Sequence, residues 1–188
     1  ERTMGKNPLV QPNHTFLDML RIKADLQIEW LKTNGYISES LATTEIKNQI
    51  AGWCYAYAQK SVNAARSILN ELYKQYPLVL VSNFYGNIDT VLKDFQIDHL
   101  FGSIIESAVV GVRKPDPLIF KLGVEKLNVP TENIVVIGDS YDKDIVPATN
   151  IGCQTIWLKS IGWSAYKGNE TASSIILDFS ELKNVFKL

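Results

Sequence analysis

In the first third of the chain, apolar residues recur at gaps of three and four. Leu17, Leu20, Ala24, Ile28 and Leu31 make one such stripe, the period of a single helical face. Thr15, with Asp18 three positions on, predicts its start as a variant capping box, and Asn34-Gly35 its stop. A second stripe is Ile46, Ile50, Trp53 and Tyr57, and a third is Ala65, Ile68, Leu69 and Leu72; together they extend helix to about Gln75. Trp53, Tyr55 and Tyr57 suggest a substrate pocket. Trp53 and Tyr57 also lie in register with Ile46 and Ile50, so packing is the expectation for both.

Beyond Pro77 the period changes. Leu78–Val81 and Ile134–Ile137 are short unbroken apolar runs, as in strands buried on both faces. A weaker strand signal lies at Phe101–Ile105, and further strands are expected at Thr155–Leu158 and Ser174–Leu177. Asn87 is placed to cap a helix through Phe95, and Asp116 one that starts at Pro117. A third helix is expected between Asp139 and Asn150-Ile151-Gly152. Strands alternating with helices predict an α/β fold with a doubly wound parallel sheet. Residues 1–62 carry no strand signal and are expected to form a small α-helical cap, with residues 63–188 as the α/β core.

Composition narrows the function classes. A formal net charge of −1 over 188 residues gives no electrostatic reason to expect nucleic acid or an anionic membrane as partner. No apolar run approaches the roughly 18 residues of a membrane-spanning helix. Cys54 and Cys153 belong to no Cys/His cluster, so two buried or half-buried thiols in a reducing cytoplasm are expected rather than a disulfide or zinc site. His14 and His99 have no partner pattern, and Arg113 reads as a surface residue.

Ligands of open parallel sheets bind beyond the carboxyl ends of the strands. One predicted strand ends in Ser82-Asn83 and another in Gly138-Asp139-Ser140, with Asp144 one turn later. The glycine is expected to let the backbone turn. Between them lies Arg113-Lys114-Pro115-Asp116, where the proline biases Lys114 toward an extended backbone. A hydroxyl, an ammonium and a carboxylate suit a phosphate held with Mg²⁺. Ser82, Asn83 and Lys114 would hold phosphoryl oxygens, and Asp139 would supply a hard oxygen ligand.

These residues carry a family resemblance. Leu80-Val81-Ser82-Asn83, Lys114-Pro115-Asp116-Pro117-Leu118-Ile119-Phe120 and Val136-Ile137-Gly138-Asp139-Ser140 with Asp144 resemble the second, third and fourth motifs of the haloacid dehalogenase superfamily, in order, from about Ala64 to Leu158. The resemblance implies a Mg²⁺-dependent phosphatase acting on a small phosphorylated metabolite. It implies Lys114 as the lysine contacting phosphate and nucleophile, and Asp139 as a direct metal ligand. Asp144 would bind the metal through water or orient Lys114.

The family's first motif, an Asp-x-Asp after an apolar strand whose first Asp forms an aspartyl-phosphate, has no counterpart here. Asp142-Lys143-Asp144 follows no apolar run and sits inside the fourth motif. The chain opens Glu1-Arg2-Thr3-Met4, so the nucleophile is expected upstream and these residues alone are expected to be inactive. Pro147 stands where the family often has glycine and is expected in a first helical turn, behind Asp144 as cap. The alternatives are a non-catalytic phosphate- or partner-binding module, a metal-free 2-haloacid dehalogenase, and a phosphoglucomutase-type transferase. The intact Gly138-Asp139 pair argues against the last two.

Overall fold

The expected capping box opens the first helix, α1 (Phe16–Thr33). The Thr15 hydroxyl accepts the Asp18 N–H, and the Asp18 carboxylate accepts the Thr15 N–H. In the computed structural model, residues 8–159 and 171–188 are described. They fall into two units, Glu1–Arg66 with Tyr85–Asp98, and Ser67–Phe84 with His99–Leu188.

The first unit is helical. It contains α1, most of the 32-residue α2 (Thr44–Gln75) and α3 (Ile88–Asp94). Its buried side chains include Met19, Ala24, Ala51, Ile88, Val91, Leu92 and Phe95. The Tyr55 ring stacks on Phe95 at 5.7 Å, and its hydroxyl lies 3.3 Å from both Asp94 carboxylate oxygens. Burial, then the Asp94 charge, raises the Tyr55 pKa above its usual value. Arg66 donates to the carbonyls of Phe95 and Gln96 at 2.7 and 2.8 Å, serving the C-terminal end of α3.

Three expectations change here. Trp53 and Tyr57 are exposed, at 65% and 75%. The inward face of α2 runs instead through Ala51, Tyr55, Ala58 and Val62, the same 4-3-4 spacing shifted by about half a turn. Small alanines mark the packed face, which a search for large apolar residues passes over. Cys54 lies on the exposed side as well; Cys153 is buried, which raises its thiol pKa. Asn87 precedes α3 but does not cap it: its amide nitrogen donates to the His14 carbonyl at 2.9 Å.

The second unit holds the strands, all parallel. β1 (Val79–Ser82) pairs with β2 (Ser103–Glu106), with Ser82 opposite Glu106. β3 (Val135–Gly138) pairs with β4 (Gln154–Leu158), which pairs with β5 (Ser174–Ile176). The α/β class and parallel strands are as expected, but among the described residues the sheet is in two pieces, one of two strands and one of three. Between β1 and β2 the chain passes through α3; after β2 come the short α4 (Ser107–Val110) and α5 (Leu118–Glu125). The Asp116 carboxylate accepts the Leu118 N–H at 2.9 Å at the start of α5. Gly123 brings α5 close to β1: a Cβ there would lie 2.9 Å from Val81 Cγ2.

Beyond β3 a π-type turn (Tyr141–Ile145) leads into α6 (Val146–Asn150), and the unit ends with α7 (Leu182–Phe186). Pro147 lies in the first turn of α6, directly after the π-type turn, and is buried. No helix among the described residues is long and apolar enough to cross a membrane.

Candidate active site

Ser82 ends β1, half-buried, and Asn83 follows it. The Asn83 amide does not point outward for a ligand. Its nitrogen donates to the Lys114 carbonyl at 3.0 Å, and its oxygen accepts the Lys114 N–H at 2.8 Å. Asn83 therefore clamps the backbone of the lysine loop to the end of β1. The Lys114–Pro115 bond is cis.

The Lys114 ammonium reaches Asp144 Oδ1 at 2.6 Å. Asp144 is 4% exposed, and its other oxygen accepts the Ser140 N–H at 3.0 Å. Both oxygens are thus engaged, and Asp144 lies inside the π-type turn rather than capping a helix. The pair explains Gly138. That glycine has no left-handed backbone; a Cβ on it would lie 2.3 Å from Asp144 Cβ. Close approach, and not the turn expected from sequence, demands glycine there.

Asp139 is exposed, and among the described residues its carboxylate has no hydrogen-bond partner. Its carbonyl accepts the indole N–H of the fully buried Trp157 at 3.2 Å, which fixes the loop from β4. Trp157 had no motif to announce it. Glu106 and Ser107 were also missed by sequence reasoning. Both are buried at the end of β2, where the Ser107 hydroxyl accepts the Phe84 N–H at 3.2 Å.

Hydrogen bonds thus run without interruption from the end of β1 to the end of β3: Asn83 to Lys114, Lys114 to Asp144, Asp144 to Ser140 beside Asp139. An ammonium, an exposed carboxylate and a strand-end hydroxyl belong to this edge. No group of three His, Cys, Asp or Glu residues among the described ones makes a complete metal cluster. Mg²⁺ does not need one, since it keeps several waters and takes one or two carboxylates plus phosphate oxygens. Asp139 fits that role; Asp144, with both oxygens engaged, fits the role of orienting Lys114.

Parallel strands alternating with helices, with polar side chains at the strand ends, define a Rossmann-like core. Residues 31–158 match the family described as haloacid dehalogenase-like hydrolase. The chain belongs to that family. It is 32% identical over 108 residues to glyceraldehyde 3-phosphate phosphatase of Pyrococcus abyssi, covering 56% of this chain and 44% of that protein. The chain therefore spans less than half of that relative. Among solved structures, it resembles the magnesium-bound HAD-hydrolase YfnB of Bacillus subtilis with a TM-score of 0.61 at 16% identity, covering 97% of this chain and 86% of that one. A HAD phosphatase of Thermococcus onnurineus gives a TM-score of 0.60 at 21% identity, covering 90% of each chain. The structural likenesses carry the fold; the phosphatase likeness rests on the sequence relative.

Proposed function

We propose that these residues belong to a Mg²⁺-dependent phosphomonoesterase acting on a small phosphorylated metabolite, whose aspartate nucleophile lies on a segment outside residues 1–188. The observation that carries this reading is the Lys114–Asp144 pair, held at the strand ends by Asn83 and Ser140 with Asp139 exposed beside it. The Lys114 ammonium offsets phosphoryl charge, while the Ser82 hydroxyl donates to a phosphoryl oxygen. Asp144 orients the ammonium, and Asn83 acts by fixing the loop that carries it. Asp139 would hold the Mg²⁺, which when bound lowers the repulsion between phosphate and an anionic nucleophile. The helical first unit would serve as cap. The named phosphatase relative supports a phosphate ester as substrate. Metal-free dehalogenation gives the exposed Asp139 carboxylate no task.

None of these side chains is placed as a nucleophile. Phosphate monoesters are among the slowest of all compounds to hydrolyse unaided, so residues 1–188 alone should show no turnover. The test is a screen of small phosphate esters with a chain extended to include the preceding coding sequence, with and without Mg²⁺. Expected is Mg²⁺-dependent release of phosphate, reduced at least about 100-fold by Asp139→Asn. Turnover by the 188-residue chain alone, or Mg²⁺-independent turnover by the longer one, overturns the reading.

A further inference from the structure

We infer that the outer face of α2 between Ile46 and Ala64 is where two copies of this chain associate, α2 packing antiparallel on α2 about a two-fold axis at Trp53. α2 carries two apolar stripes. Ala51, Tyr55, Ala58 and Val62 face inward, on the side where Lys47 meets Asp25 and Glu29 of α1 and the Tyr55 ring stacks on Phe95. Ile46, Ile50, Trp53 and Tyr57 lie about half a turn away. The two isoleucines are half-buried, and Trp53 and Tyr57 are exposed. A helix that is apolar on two sides is expected to be covered on both.

The outer stripe has the spacing of a helix-pairing seam. Ile46, Ile50, Trp53, Tyr57, Lys60 and Ala64 follow at gaps of four, three, four, three and four, as the a and d positions of a coiled coil do. From Ile50 to Ala65, Lys60 is the one charged residue, whereas the solvated face of a helix is normally rich in charge. Gly52 stands beside Trp53, and among the described residues a Cβ there would meet nothing within 4 Å. Packing within the chain therefore does not ask for a glycine at a place where it weakens the helix. The indole of a second copy has room over it.

Charge and area select the occupant. Glu45 and Lys60 are exposed, and among the described residues neither takes part in an ion pair. Lys60 lies seven residues after Trp53 and Glu45 eight before it. An antiparallel pair centred on Trp53 brings each Lys60 level with Glu45 of the second copy, to within one helical rise of about 1.5 Å along the axis. Two-fold symmetry makes that ion pair twice, whereas a parallel pair would set Lys60 against Lys60. Trp53 and Tyr57 together leave roughly 250 Å² of aromatic surface open. With the rest of the stripe, two such faces bury about 1,000 Å², the least that a specific interface needs. The dimer is accordingly reversible, with a dissociation constant on the order of micromolar.

The test is sedimentation velocity of the chain extended to include the preceding coding sequence, from about 1 to about 200 μM, which brackets that constant. Expected is a monomer at the low end that converts to dimer at the high end. Trp53→Glu and Tyr57→Glu should each weaken association about tenfold or more, while the circular dichroism of the dilute monomer stays unchanged because both side chains are exposed in it. Glu45→Lys and Lys60→Glu should each weaken the dimer about threefold or more. The double variant that exchanges the two charges should recover it, a rescue that a nonspecific apolar contact would not show. A longer chain that stays monomeric throughout overturns the inference, and a lower melting temperature of its Trp53→Glu variant would then assign the face to the added segment. A dimer that Trp53→Glu leaves intact, or a charge exchange that recovers nothing, overturns it as well.

Discussion

β4 and β3 are hydrogen-bonded neighbours, yet their environments differ. β4 has a strand on each side, and its Thr155, Ile156 and Trp157 are all buried. β3 has a described partner on one side only, and all four of its residues are half-buried. β1 repeats the pattern of β3. An unbroken apolar run needs cover on both faces and at both edges. Where one edge has no strand partner among the described residues, the same side chains remove less surface from water and stabilise less.

Like-for-like truncation tests this contrast most directly. Ile156→Ala in β4 should cost about 2–5 kcal/mol in urea unfolding, and Ile137→Ala in β3 no more than about half of that. Equal losses would break the comparison.

The strand ends at the candidate site come next. Asp144→Ala leaves the Lys114 ammonium and the Ser140 N–H without their partner, and should cost about 2–3 kcal/mol. A smaller loss in the double variant Lys114→Met, Asp144→Leu would show that the unpaired charge, not lost packing, causes the penalty. Gly138→Ala forces a Cβ against Asp144 and should cost about 1–3 kcal/mol. Denaturation together with Lys114–Asp144 coupling in the double-mutant cycle checks it.

The smallest effect belongs to the helical unit. Hydrogen bonds from Lys32, then Lys47, hold the exposed Glu29 carboxyl at about 2 against its ordinary 4.5. A depressed carboxylate stabilises the fold above its unfolded pKa, and that contribution is lost as pH falls through the folded value. The melting-temperature advantage over Glu29→Gln should therefore be small near neutrality, because the pair is solvent-screened. It should vanish between about 4.5 and about 2. A difference that persists below that window would point to packing instead.

Much was legible in the chain itself because it is local. The Thr15–Asp18 box, the apolar runs of β1 and β3 and the proline-led start near Asp116 depend on neighbours within one turn or strand. The order of the three motifs was equally readable, and with it the family. What the sequence could not convey depends on residues distant along the chain. The apolar stripe through Trp53 and Tyr57 was the one the sequence offered, and tertiary packing chose the alanine face instead. Asn83 looked like a ligand for phosphate until the Lys114 loop, 31 positions away, occupied its amide. Gly138 looked like a turn residue, and only the approach of Asp144 revealed why no side chain fits. Trp157 carried no motif because its hydrogen bond goes to a backbone carbonyl, which any residue could present. Local patterns follow from backbone periodicity and capping, whereas partner choice follows from packing, and packing is decided only when the whole chain is in place.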